Sequence, residues 1–177
     1  MTVLSRAAKG QGIIRDINNI LRGTYFGAHY FVALKLLRES MLMSVITNNL
    51  EVSFNLTTKE YKILHDLDMQ LLRGCLLLGA KTPQCLILLE LGFVSVSYLV
   101  KKKRVMYLFH LLTTDESSLV SQVFHKQRSS AKRGDWVNTV LKDLKDLKID
   151  LSFSQIARIK KTVFKRIVRE SVEKACF

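Results

Sequence analysis

The sequence predicts an all-α protein of about eight helices, and three observations carry that expectation. Apolar residues recur at three- and four-residue intervals nearly end to end, the spacing of a helix with one buried face. One proline and eight glycines in 177 residues are too few turn formers for a sandwich or barrel of many short strands. Apolar residues make up 48% of the chain, enough to fill a core and too many for wholesale disorder. The expected organisation is a larger N-terminal helical unit over 1–125, a basic loop at 126–133, and a smaller C-terminal helical hairpin over 134–177.

Taken in order, Ile13, Ile14, Ile17, Ile20 and Leu21 form the first stripe, and Gly23 is placed to end that helix. From His29 to Thr47 the chain is apolar nearly all round, interrupted by Lys35, Arg38 and Glu39, which predicts a helix buried on most sides. Thr57 and Glu60 form a capping box that opens a third helix, with Tyr61, Leu64, Leu67, Leu71 and Leu72 on its stripe. Thr82-Pro83 starts a short helix that stops at Gly92. A longer one follows from Ser97 to Leu112, then a short helix capped by Asp115 and carrying Leu119, Val120, Val123 and Phe124. Asp135 caps an amphipathic helix with Val137, Val140, Leu141 and Leu144 on one face. Ser152 and Gln155 form a second capping box before a final helix lined by Val163, Phe164, Ile167, Val168, Val172 and Ala175.

The charge is strongly basic and uneven. The net charge is +13; residues 1–88 carry 10 basic and 6 acidic side chains, whereas 89–177 carry 18 and 9. A surplus of this sign favours phosphate backbones or anionic surfaces as partners. It falls into three groups: Lys101, Lys102, Lys103 and Arg104 entering a helix; Lys126, Arg128, Lys132 and Arg133 in the expected loop; and Arg158, Lys160, Lys161, Lys165, Arg166 and Arg169. Within the last group, Arg158, Lys161, Lys165 and Arg169 recur at three- and four-residue spacing and are expected to share one face. The first run reads either as a solvated helix start or as a phosphate contact, and the two further groups tilt it toward phosphate. Nothing in the pattern specifies a base sequence.

Other chemistries find little footing. Cys75, Cys85 and Cys176 are an odd number without a CxxC pair, which argues against a disulfide framework and a zinc ribbon and for a reducing, intracellular compartment, nuclear or cytoplasmic. Residues 1–12 lack the apolar core of a secretory signal. Cys85 to Val100 followed by four cations imitates a membrane helix, yet it is shorter than a span of about 20 residues and holds Glu90 and Gly92, so no membrane span is expected. His29, His65, His110 and His125 lie on separate helices outside any metal-binding spacing, and His65 with Asp68 reads as a surface pair. Cys75 and Cys85 sit among apolar neighbours and read as core. Asp143 and Asp146 read as solvating charges. Met41, Met43 and Met106 read as core filler. Gly10-Gln11-Gly12 continues into no glycine-rich phosphate loop. No catalytic residue, cofactor or metal is therefore expected. Trp136 is either a packing anchor, the favoured reading, or a platform for a base.

The ordered segments resemble the region just after the polymerase core in reverse transcriptases of non-LTR (LINE-like) retrotransposons, especially lineages with a restriction-like endonuclease. The matching pieces are Gly10 to Leu21, Tyr30-Phe31, and Leu36-Leu37-Arg38-Glu39-Ser40-Met41-Leu42, followed by Thr47-Asn48 and Asn55-Leu56-Thr57. Asp68 with Leu71-Leu72-Arg73 comes next, then Lys81-Thr82-Pro83, Leu89-Glu90-Leu91-Gly92, Gly134-Asp135-Trp136-Val137 and Asp143-Leu144. The similarity covers essentially the whole chain and rests on the ordered set. The chain departs from the family pattern at Ser53-Phe54, where a Trp-Tyr pair is usual, at Ser95, where a proline is usual, and at Phe109-His110, a displaced Leu-His pair. The family's polymerase aspartates, zinc knuckle and endonuclease have no counterpart here. The resemblance implies a fragment or decayed copy of the thumb and linker, inactive alone. Its expected role is to hold template RNA and primer duplex through phosphate contacts, with RNA or RNA–DNA hybrid and the upstream polymerase core as partners. The alternative is a structural, protein-interaction helical module docking on that core.

Overall fold

The structure, a computed structural model, describes residues 2–24, 27–53, 56–130 and 135–176. It is 76% helical, with no strand among the described residues. In chain order the helices are α1 (Val3–Leu21), α2 (Ala28–Leu37), α3 (Ser44–Ile46), α4 (Thr58–Leu76), α5 (Gln84–Leu91), α6 (Val96–Thr113), α7 (Leu119–Ser129), α8 (Trp136–Asp146), α9 (Phe153–Arg158) and α10 (Lys161–Cys176). A π-helical segment, Arg38–Met43, joins α2 to α3. Eight of these helices have eight residues or more, which is the all-α class the apolar spacing predicts.

Two compact units share the residues. One comprises Met1–Asn48 and Thr57–Ser97, the other Asn49–Leu56 and Tyr98–Phe177. The division falls inside α6.

In the first unit α1 buries Val3, Arg6, Gly10, Ile14, Ile17 and Leu21, packing chiefly on α4 and α3. Ile20, expected in that stripe, is instead 53% exposed. The buried Arg6 donates to the backbone carbonyl of Asn48. At Gly10 a Cβ would lie 3.1 Å from Ile46 Cγ2 and 3.4 Å from Leu67, so a bare Cα is what permits this crossing distance.

From α2 to α3 the buried residues include Tyr30, Leu34, Arg38, Leu42 and Ile46, each four positions apart, with Met43 buried beside Leu42. In an α-helix such steps drift by about 40° each. The wider π turn at Arg38–Met43 takes up part of that drift, so all five stay on the core. Only this face is buried: Phe31, Val32 and Leu36 are exposed, which corrects the expectation of a helix enclosed on most sides.

Arg38 does not interrupt the apolar face; it enters the core. Its Nε and Nη2 donate to Asp68 Oδ1 and Oδ2, both at 2.7 Å, and Nη2 also donates to the Val94 carbonyl at 3.0 Å. The Phe93 ring lies 4.6 Å from the guanidinium carbon. Asp68 is therefore not a surface partner of His65, whose Nε2 pairs with the Gln84 side chain. The Thr57–Glu60 capping box forms as the sequence predicts. Tyr30 donates to the Cys75 carbonyl at 2.6 Å, and burial pushes both the Tyr30 hydroxyl and the Cys75 thiol up from their ordinary pKa. Pro83 and Gly92 (φ +62°) bound α5, breaking the apolar run ahead of the Lys101 cluster. No single helix among the described residues is long and apolar enough to cross a membrane.

In the second unit Phe109 on α6 stacks against Phe164 on α10, with ring centroids 5.1 Å apart. Trp136, at the start of α8, is 5% exposed. Its indole N–H donates to the Glu51 carbonyl at 2.7 Å, and Tyr107 and Phe124 meet the ring edge-on. Trp136 is thus a packing anchor, and its ring is not available as a platform. Ser118, not Asp115, caps α7; the Asp115 carboxylate accepts from the Ser117 N–H in the turn before it. The expected final helix is two, because Ile159 is extended (φ −77°, ψ 139°) between α9 and α10. The Ser152–Gln155 capping box opens α9.

Candidate nucleic-acid interface

The three basic groups meet different fates. Lys101 and Arg104 stand three residues apart on α6, and Asp146 and Asp143 stand three apart on α8. They meet as two rungs: Lys101 Nζ to Asp146 Oδ2 at 2.6 Å, and Arg104 Nε to Asp143 Oδ2 at 2.9 Å. Lys101 also lies 5.1 Å from the Tyr98 ring centroid. Arg104 is 3% exposed and serves as an internal counter-charge, which removes it from the phosphate-binding set. Asp143, expected in solvent, is buried with it. That burial pushes its carboxyl up to about 6, against the pull of Arg104 and Lys101. Lys101 is half-buried in its ion pair, and Lys102 and Lys103 are half-buried beside it. The run of four cations is therefore in large part an α6–α8 fastening.

The second group does not lie wholly in a loop. Lys126 and Arg128 occupy the last turn of α7, where cations face the helix's own terminal carbonyls. The helix extends through them because Ser121 and Phe124 carry its buried face to that point. Both cations are exposed. Lys132 and Arg133 lie outside the described residues. The Arg128 guanidinium sits over the Phe153 ring, 5.1 Å from its centroid, which joins the end of α7 to the start of α9.

The third group is the most open. Lys161, Lys165 and Arg169 form a row along α10 that flanks the buried stripe of Phe164, Val168 and Val172, and all three are exposed. Arg158 closes α9 and is set off from that face by the break at Ile159, so the expected four-residue stripe is three residues plus a neighbour. Residues 151–169 contain no carboxylate, and all six of their cations are exposed. Further along α10, Arg166–Glu170 and Arg169–Glu173 are surface pairs at 3.9 and 4.0 Å, a kind that holds a side chain only weakly.

Phe153 is the residue that sequence reasoning missed at this surface. Its signal was present: an aromatic directly after a capping serine, where a solvent-facing position would ordinarily be polar. His29, His110 and His125 are exposed and dispersed. Among the described residues no three His, Cys, Asp or Glu side chains converge to hold a metal ion. No protein-family model, curated protein or solved structure matches the chain.

Proposed function

We propose that this chain is a nucleic-acid-binding accessory segment, catalytically inactive alone, similar to the post-polymerase region of a non-LTR retrotransposon reverse transcriptase. It holds template RNA and primer duplex, or an RNA–DNA hybrid, by phosphate contacts. The observation that carries this reading is the stretch 151–169, with six exposed cations and no carboxylate. Lys and Arg so arranged release counterions from a polyanion without reading its sequence, and helices laid on an A-form-like duplex recognise shape and backbone. Lys161, Lys165 and Arg169 form the principal contact, Arg158, Lys126 and Arg128 add to it, and Lys102 and Lys103 remain candidates on α6.

Fluorescence anisotropy of the full chain with an RNA–DNA hybrid across a salt series tests it. Affinity is expected to fall linearly in log–log form with increasing salt. Absence of binding at low salt, or a flat salt response, overturns the reading. One observation favours the alternative of a helical module docking on a polymerase core: Phe31, Val32 and Leu36 stand exposed on α2. That alternative predicts self-association of the isolated chain with no response to nucleic acid.

A further inference from the structure

A line of rings runs through the second unit and ends in a guanidinium. Tyr107 meets Trp136 edge-on at 5.7 Å, Trp136 meets Phe124 at 6.2 Å, and Phe124 meets Phe153 at 6.2 Å. Arg128 lies over Phe153 at the end of this line. Trp136 and Phe124 are buried, Phe153 is half-buried, and Arg128 is exposed. His125, one helical turn before Arg128, is also exposed, its ring meeting Phe124 at 5.6 Å. A guanidinium is planar, and one held by an aromatic on one side retains its other face for a second flat group.

We infer that Arg128, held by Phe153, is a stacking shelf for an unpaired nucleobase, placed where a single strand leaves a bound duplex. The inference rests on the nucleic-acid reading above and adds a subsite to it. Phosphate contacts of Lys161, Lys165 and Arg169 would retain the backbone, while Arg128 would receive the first unstacked base. Such stacking tolerates any base, because each presents a π face. It also gives Arg128 a role that a lysine cannot fill, since an ammonium supplies charge without a plane.

The test uses the full chain and an RNA–DNA hybrid whose RNA overhang carries 2-aminopurine at its first unpaired position, compared with a blunt hybrid. Binding to wild type should raise the 2-aminopurine emission, as the base leaves the quenching stack of the duplex for the guanidinium. Arg128→Lys, which keeps the charge and loses the plane, should abolish the rise and weaken overhang binding by about fivefold or more, a larger loss than the same change causes with the blunt hybrid. Phe153→Leu, which leaves the charge but removes its support, should act in the same direction, with far-UV circular dichroism confirming the helical content. Binding without that rise, or a rise retained by Arg128→Lys, overturns the shelf and leaves the phosphate-binding reading intact. Failure of the wild type to bind either hybrid at low salt overturns both.

Discussion

Arg38 and Asp68 form a bidentate ion pair whose side chains are 2% and 0% exposed. Both carboxylate oxygens are engaged, and the guanidinium has a backbone carbonyl and an aromatic face as further partners. Removing one member leaves the other charged and buried, so Arg38→Met or Asp68→Leu alone should destabilise the fold by about 3–5 kcal/mol. The double replacement should cost far less than the sum of the two, because no charge is then stranded. Urea denaturation of the four species gives the coupling directly, and additive single effects would contradict this account.

Asp143 provides a pH dependence of defined sign. Its carboxyl is raised from 3.8 to about 6 by burial. Between those values the folded state binds more protons at this site than the unfolded state. This group therefore adds stability as pH falls from 7 through 6, and withdraws it as pH rises. Asp143→Asn, neutral throughout, strands the buried Arg104 and should lower Tm, and by linkage its Tm relative to wild type should stand higher at pH 7 than at pH 5. Taking the difference between the two proteins cancels other carboxylates, including Glu60 and Asp115, which hydrogen bonds hold below their ordinary pKa. A relative Tm that rises on acidification would count against burial as the dominant cause.

Gly10 and Gly12 lie two residues apart in α1 and should respond in opposite directions. A side chain at Gly10 meets Ile46, Leu67 and Leu42, so Gly10→Leu should lower stability by about 1–3 kcal/mol through overpacking. Nothing lies within 4 Å of a Cβ at Gly12. Gly12→Ala should raise stability by about 0.5–1 kcal/mol through helix propensity alone. Thermal melts of the two variants decide this, and a loss of stability in both would refute the distinction.

Reversing Lys161, Lys165 and Arg169 to glutamate should weaken hybrid binding across all sequences and reduce the salt slope by about two to three units. The same change should leave the thermal transition nearly unmoved, since these side chains face solvent. Reversing Arg104 should have the opposite profile, a large loss of stability, because its partner is the buried Asp143.

Helices, caps and class were legible in the sequence because they depend on local spacing. The capping boxes at Thr57–Glu60 and Ser152–Gln155 are three-residue relationships, and both form. Charge neutralisation is not local. Residues 91–114 and 151–169 are alike in sequence, each a carboxylate-free stretch holding a basic cluster. Lys101 and Arg104 are nevertheless paired by Asp146 and Asp143 some forty positions away, whereas the cations of 151–169 remain exposed. Arg38 was misread for the same reason: its partner lies thirty positions on, and its inward direction depends on a π turn that periodicity at α-helical spacing does not register. The end of α7 was misjudged because Lys126 to Ser129 lacks apolar residues, although the helix needs none there once Phe124 is packed.

The bond from the Trp136 indole to the Glu51 carbonyl spans 85 positions, and residues 49–56 belong with 98–177 while their sequence neighbours belong elsewhere. A polypeptide emerging in order from a ribosome exposes Glu51 long before Trp136 has been synthesised. The second unit therefore cannot be completed until Trp136, 85 positions after Glu51, has been translated. Any recombinant piece beginning at residue 98 would lack a segment that the indole grips.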